Sequence, residues 1–316
     1  MEEIIRILKE ADTIAICPHI SEDADCVGSS LAMRRVLSDM GKKADIYISA
    51  PLESRLDFFN ADAIIYNGDA VEYDVCLCLD CGEIKRIGTR VEIFDKAKTT
   101  VSIDHHMTNT YFAKYNHVEA DASATGEILC RMIEKMGVDI DAEIAGYLFA
   151  AVASDTGSFK YSNVSPATLR EAAKLLEKGI DNAYISRMLF DTMDENFMRF
   201  EGQLMSRVKT FYDGKLAVLV VTNEDIKRYG IDPGSTGDTV NIARKVAGCK
   251  VAVSIREMED KIKMSFRANE DTDVSRVAAK FGGGGHMKAS GASVDLMELD
   301  KLLEKVVEAC EEILNG

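Results

Sequence analysis

Residues 13–49 read TIAICPHISEDADCVGSSLAMRRVLSDMGKKADIYIS. The run TIAIC (13–17) is short, apolar and β-branched, as a buried strand is. GSSLAMRRVLSDM (28–40) carries its apolar residues at helical spacing, and Gly41 stands where a helix stops. KADIYIS (43–49) reads as a second strand. Strand, helix and strand in that order are the repeating unit of a parallel sheet covered by helices, and this stretch sets the fold class as α/β.

Working outward, AIIYN (63–67), DVCLCL (74–79) and TTVSI (99–103) are further strand candidates. The middle ones are apolar enough to be covered on both faces. Helices are predicted near Thr125–Lys135 and Ala142–Ala153, with a third opened by Ser165-Pro166, a capping residue followed by proline in the first turn. From Asn182 to about Thr210 the pattern is mostly helical, with Met and Phe spaced for packing, and it reads as a connector. Beyond Asp213-Gly214 come strand LAVLVVT, helices near Glu224 and Thr239, strands KVAVSIRE and KIKMSFRA, a helix running into FGGGGH, and a final helix from Leu296. The expected architecture is therefore an N-terminal parallel-sheet domain with helices on both faces (1–185), a helical connector (186–212), and a smaller α/β domain with a mixed sheet (213–316).

Composition narrows the function classes. The chain has 316 residues, 47% of them hydrophobic and 29% charged, which is enough for two cores and excludes extensive disorder. The longest apolar stretch, Ile144–Ala153, falls well short of the roughly 20 residues of a membrane span. MEEIIRILKE has acids where a secretory signal carries basic residues, so the expected location is the cytoplasm. Eight cysteines without regular spacing fit reduced thiols. Cys78 and Cys81 match C-x-x-C, but Cys78 sits within a strand and no second such pair completes a zinc site. A net charge of −15 disfavours long nucleic acids, whose non-specific binding needs many Lys and Arg contacts. A small anionic substrate at a locally positive, metal-loaded site remains compatible with it.

The acids and histidines fall where such a site would form. In open parallel sheets, ligands bind beyond the carboxyl ends of the strands. His19, Asp23 and Asp25 follow the first strand, Asp80 follows DVCLCL, and Asp104, His105 and His106 follow VSI. Asp155 ends the helix at 142–153. Each has an ordinary explanation alone, as a turn residue or helix stop. If His19, Asp23, Asp25, Asp80, His105 and Asp155 meet, their carboxylates repel unless cations neutralise them. Two divalent ions match the four negative charges, with one or two carboxylates bridging, and bridged ions lie about 3.5 to 4 Å apart. Oxygen and imidazole donors favour Mn²⁺, with Mg²⁺ or Co²⁺ as alternatives. Asp104 is then placed to orient a ring or cap its strand, and His106 to meet substrate.

In the second half, glycines 282–285 let backbone N–H groups approach an anion, because no Cβ stands in the way. Arg267 can pair with a phosphate bidentately and His286 can donate another hydrogen bond. Gly283, Gly284, Gly285, His286 and Arg267 are thus the substrate-binding candidates.

These motifs, H19-x-x-x-D23-x-D25-x-x-G28-S29, D80-C-G, D104-H105-H106 and D155-T-G-S-F, resemble those of the DHH phosphoesterase superfamily. S265-F-R267 and F281-G-G-G-G-H286-M-K-A-S-G291 are similar to its DHH-associated C-terminal domain. Within the superfamily the chain is most similar to the stand-alone bifunctional oligoribonucleases and 3′-phosphoadenosine-5′-phosphate (pAp) phosphatases, the nanoRNases. The resemblance implies a di-manganese hydrolase. His19 and Asp23 would ligate one ion, Asp25 and His105 the other, Asp80 would bridge, Asp155 would bind at the second ion, and His106 would contact the scissile phosphate. It implies short oligoribonucleotides, pAp or dinucleotides as substrates, with the C-terminal domain gripping a terminal phosphate and base. A homodimer is left open. Two positions depart from the family pattern: Glu22 stands where Pro is common and Cys26 where Ala is common. Neither position supplies a ligand in the family, so what they put in question is the rigidity of the loop. A phosphodiesterase of cyclic dinucleotides or their linear products is the nearest alternative activity, and a non-catalytic nucleotide sensor the alternative of another class. Inorganic pyrophosphatase fits the glycine-rich tail less well.

Overall fold

The first sheet grows outward from β1 (Thr13–Pro18) in the computed structural model, which describes residues 1–315. The chain divides into two units, Met1–Thr192 and Met193–Gly316. In the first, β2 (Lys43–Ile48), β3 (Ile64–Ile65), β4 (Val75–Leu79), β5 (Thr99–Asp104) and β6 (Tyr115–Val118) join β1 in the order β3-β2-β1-β4-β5-β6. All neighbours run parallel. The order reverses between β1 and β4, which opens a crevice beyond their carboxyl ends.

Both faces are covered. On one lie α1 (Glu2–Glu10), α2 (Ala24–Asp39), α4 (Thr125–Met136) and α5 (Ala142–Asp155), whose Leu8, Leu37, Ile133 and Leu148 pack with Ile14, Ile16, Leu77 and Val101 of the strands. On the other, α3 (Val91–Lys96) and a 3₁₀ turn at Ile84–Arg90 set Ile87, Ile93 and Phe94 against Ala15, Cys17, Cys76 and Cys78. Burial on both sides is why β1 and β4 are continuous apolar runs with no alternation. At Gly28 the backbones of α2 and α5 touch: an added Cβ would lie 2.5 Å from the Tyr147 carbonyl oxygen. Ser165 caps α6 (Pro166–Glu177) by accepting from the Ala167 and Thr168 amides, and α7 (Asn182–Ser186) runs into a π turn at Arg187–Asp191.

The second unit comprises α8 (Glu195–Ser206), β7 (Lys209–Phe211), β8 (Leu216–Val221), α9 (Asn223–Tyr229), α10 (Val240–Arg244), β9 (Val251–Glu257), β10 (Lys261–Ala268), α11 (Ser275–Lys280), β11 (Gly284–His286), β12 (Ala289–Asp295) and α12 (Leu299–Asn315). Its sheet runs β11-β12-β10-β9-β8-β7, with β8 and β9 parallel and the other pairs antiparallel. One face packs on α11 and α12 through Val277, Leu302 and Val306, the other on α8 to α10 through Phe200, Leu204 and Val240.

Some expectations change. AIIYN is not a strand covered on both faces: it keeps two paired residues, and Ile64 and Ile65 are 44% and 50% exposed. As the edge strand it has one neighbour, and a short edge presents little unpaired backbone. The helical reading of 182–210 is broken at Thr192–Asp194 and ends in β7, while α8 buries Phe200 and Leu204 in the second unit's core. β6, which is YNHV and only half-buried, was too polar and too short to announce itself. The described cysteines are all unpaired and buried, and among the described residues no helix is long and apolar enough to cross a membrane.

Candidate metal centre

The loop after β1 delivers the first group. Asp23 caps α2, its Oδ1 accepting from the Asp25 and Cys26 amides at 3.0 Å each, so it and Asp25 are fixed by the helix start. His19 Nε2 stands 3.3 Å from Asp23 Oδ2 and 3.5 Å from Asp80 Oδ2. Its Nδ1 lies 2.8 Å from the Ile20 carbonyl oxygen, and its Nε2 faces the carboxylates. Arg86 comes within 3.1 Å of the same Nδ1. The loop is tied down from behind: Arg90, fully buried, donates to Glu22 Oε1 at 3.3 Å, to the Tyr47 carbonyl at 2.7 Å and to the Ile87 carbonyl at 2.9 Å. Glu22 thus gives the loop an ion-pair anchor where the family pattern has proline.

Asp80 directly follows β4 with φ +57°, a left-handed conformation uncommon for a residue with a Cβ and often found at functional sites. Its two oxygens look in different directions. Oδ2 faces His19, while Oδ1 lies 3.4 Å from His105 Nε2, 3.6 Å from His106 Nδ1 and accepts from Thr125 Oγ1 at 3.0 Å. His105 Nε2 is also 3.2 Å from Asp155 Oδ2 and 3.9 Å from Asp25 Oδ2. Asp25 is fully buried and accepts from the Thr125 amide (2.7 Å), the Gly126 amide (2.9 Å) and Ser29 Oγ (3.1 Å). The start of α4 therefore aims its free amides at this carboxylate, as helix N-termini do toward anions.

Asp104 stands behind His106. Its Oδ1 meets His106 Nδ1 at 2.7 Å and its Oδ2 accepts from Asn109 Nδ2 at 2.6 Å. Burial pushes Asp104 up, but His106 and Asn109 outweigh it and hold the carboxyl below its usual range. Asp104 in turn raises the His106 imidazole. His106 is nearly half exposed and its Nε2 is left for another partner.

Three donor groups capable of holding an ion emerge: His19 with Asp23 and Cys26, Asp80 with His105 and His106, and Asp25 with His105 and Asp155. Among the described residues, the ion-pair partners of Asp23, Asp25, Asp80 and Asp155 are imidazoles only. Burial, then Asp80 and Asp155, drive Asp25 well above the ordinary carboxylate range, and burial raises Asp155. Burial lowers His105, yet Asp155, Asp25 and Asp80 more than reverse it and lift the ring to about 10. Without cations these groups hold protons between them. A set of buried oxygens and imidazoles that collects positive charge in this way fits divalent metal.

Thr125, Gly126, Asn109 and Arg86 were not found from sequence. They are neutral donors or a cation distant in sequence, and only Asn109 lies within a few residues of Asp104, His105 and His106. His117 pairs with Glu119 at 2.7 Å, apart from these groups.

In the second unit, sheet register places His286 beside Ala289, and Ala289 beside Arg267. Paired residues share a face, so Arg267 and His286 stand on one side, about 10 Å apart at two strand spacings. The next row is Gly284, Gly291 and Ser265, a floor with no side chain larger than serine, continued inward by the buried Ser254. Burial lowers the Arg267 guanidinium, which donates to the Phe266 carbonyl at 3.1 Å; His286 is exposed. The glycines have different roles. Gly282 (φ +72°) and Gly283 end α11, donating to the Ala279 and Ala278 carbonyls at 3.0 and 2.9 Å, so those two amides are taken. A Cβ on Gly283 would lie 2.2 Å from the Gly291 carbonyl oxygen, whereas one on Gly284 would meet nothing within 4 Å.

Comparison with known proteins agrees with this organisation. The model of the DHH family, N-terminal domain, matches residues 13–152, and that of the DHHA1 domain matches residues 213–312. The chain is 33% identical over 320 residues to the bifunctional oligoribonuclease and PAP phosphatase NrnA of Thermus thermophilus, covering 99% of this chain and 94% of that protein. The crystal structure of an exopolyphosphatase-related protein from Bacteroides fragilis superposes with a TM-score of 0.91 at 27% identity, over 100% of this chain and 97% of that one. Exonuclease RecJ bound to manganese shares the fold at a TM-score of 0.56 and 14% identity, over 98% of this chain and 94% of that one.

Proposed function

This chain belongs to the DHH family and is a hydrolase of phosphoester bonds, and on that premise we propose that it cuts short RNA oligonucleotides to mononucleotides and converts pAp to AMP. The substrate assignment is supported by the relative whose name carries both activities and which aligns along nearly the whole chain. The chemical assignment rests on one observation: Asp80 offers one oxygen to the His19 side and the other to the His105 side.

That division suits two divalent cations, manganese in our reading, one held by His19 and Asp23, the other by Asp25, His105 and Asp155, with Asp80 shared. When bound, such cations neutralise the carboxylates and act as Lewis acids toward phosphoryl oxygens. The protein's own groups do the rest. Asp104 fixes the His106 ring through Nδ1 and favours its charged form, leaving Nε2 to donate to a phosphoryl oxygen or toward the leaving oxygen. The α4 amides and Thr125 hold Asp25 and Asp80 in orientation. In the second unit, Arg267 and His286 bind substrate phosphate over the small-residue floor, where a base can lie flat; Gly284 leaves room for it, while Gly283 and Gly285 shape the hairpin.

The test is turnover of pAp, a linear diribonucleotide and a cyclic dinucleotide with added Mn²⁺. The first two should be hydrolysed, chelator should stop both, and Asp80→Ala should cut both by more than about 10³-fold. Turnover of the cyclic substrate alone would replace this reading with the cyclic-dinucleotide one. Tight nucleotide binding without any hydrolysis would replace it with a sensor.

A further inference from the structure

The first of the three donor groups contains a residue that the family pattern does not account for. Cys26 lies in the first turn of α2, where its amide is already bound by Asp23 Oδ1 at 3.0 Å and its Sγ approaches the Asp23 carbonyl at 3.4 Å. The side chain is fully buried. Its sulfur, a His19 ring nitrogen and an Asp23 oxygen all lie within 4.8 Å of one another. The His19–Asp23 and His19–Asp80 contacts, 3.3 and 3.5 Å, are already the donor spacings of a tetrahedral ion with bonds of about 2.0–2.3 Å. Among the described residues, all eight cysteines are buried, yet only Cys26 belongs to such a group. Five of the others pack within strands and helices, and the two in loops, Cys81 and Cys249, turn their sulfurs to the Glu83 and Val251 carbonyls.

We infer that Cys26 is a sulfur ligand of the cation held by His19 and Asp23, which makes the two metal positions chemically unequal. Thiolate selects softer divalent ions such as Zn²⁺ or Co²⁺, while the oxygen and imidazole donors of Asp25, His105 and Asp155 keep the preference for Mn²⁺ or Mg²⁺. On coordination the S–H proton leaves to solvent as the metal–sulfur bond forms. The inference rests on the metal-binding reading above and deepens it.

The experiment is cobalt titration of the full-length, metal-stripped protein, followed by absorption and by direct analysis of bound metal. Wild type should show a near-ultraviolet sulfur-to-cobalt charge-transfer band alongside the visible cobalt bands. Cys26→Ala and the size-matched Cys26→Ser should lose the former and keep the latter. Their affinity for Zn²⁺ relative to Mn²⁺ should fall about tenfold or more, since loss of even an outer partner of a metal ligand costs about 10–100-fold. Cobalt bound to wild type without the charge-transfer band overturns the sulfur ligand and leaves the metal centre standing, whatever the variants do. A band that survives in both variants also overturns it. No cobalt bound at all overturns the metal reading and this inference together.

Discussion

At the carboxyl ends of β1, β4 and β5 the functional side chains are bonded to one another and His19, Asp25, Asp80 and Asp104 are buried, whereas on the β11–β12–β10 face of the second unit the candidates stand apart and half or wholly exposed. In the first region nearly every polar atom is fixed before any ligand arrives: Asp25 by three donors, Asp80 by Thr125, Asp104 by His106 and Asn109. In the second, the main feature is small size: Gly284, Gly291 and Ser265 carry nothing larger than a serine side chain. A centre that must hold like charges together needs rigid prepositioning. A surface that accepts different nucleotides needs a flat floor and a few charged hydrogen bonds at its margin.

Substitutions can break or sharpen this contrast. The largest effect is expected at Asp80: Asp80→Ala should abolish, by more than about 10³-fold, hydrolysis of nucleotides and of a small generic phosphodiester alike, because the shared carboxylate serves every substrate. A large loss on nucleotides only would move Asp80 out of the metal centre. Next comes the anchor of the first loop. Glu22→Ala strands Arg90 as a buried unpaired charge, and should lower unfolding free energy by about 3–5 kcal/mol in denaturant melts. A change under about 1 kcal/mol would mean that the loop does not depend on that pair.

Arg267→Ala should weaken nucleotide turnover about 10–100-fold, the worth of one or two charged hydrogen bonds, and reduce the generic substrate far less. His286→Ala should follow in the same direction with a smaller loss. Equal losses on both substrates would erase the division between the two regions. The finest comparison is between adjacent glycines. Gly283→Ala drives a Cβ into the β12 backbone and should cost about 1–3 kcal/mol of stability, while Gly284→Ala, with open space above it, should leave stability within about 0.5 kcal/mol and weaken nucleotide binding. Full nucleotide affinity in a stable Gly284→Ala protein would rule the floor out as a base platform.

The contrast also explains what the sequence made legible. TIAIC, DVCLCL and TTVSI announced central strands because burial on both faces leaves an uninterrupted apolar run. The edges did not: β3 retains only Ile64 and Ile65, β6 is YNHV, and β7 hides in a stretch of helical spacing. β11 and β12, built largely of glycine, alanine and serine, carry no strand propensity to read. In the site, the acids and histidines stood out because charged groups at the ends of apolar strands are conspicuous. Their supports, Thr125, Gly126 and Asn109, act through amides and a hydroxyl, which leave no pattern until the fold brings them within 3 Å of a carboxylate. Glu22 and Cys26 were visible as departures, but only the structure supplies Arg90 for one and the His19–Asp23 pair for the other.

Whether Asp80 joins two cation positions is read out by manganese binding followed by electron paramagnetic resonance. Wild type should bind two Mn²⁺ per chain with a spin-coupled spectrum, and Asp80→Ala should lose the coupling. One ion per chain, or two whose spectra are magnetically independent in wild type, would contradict it.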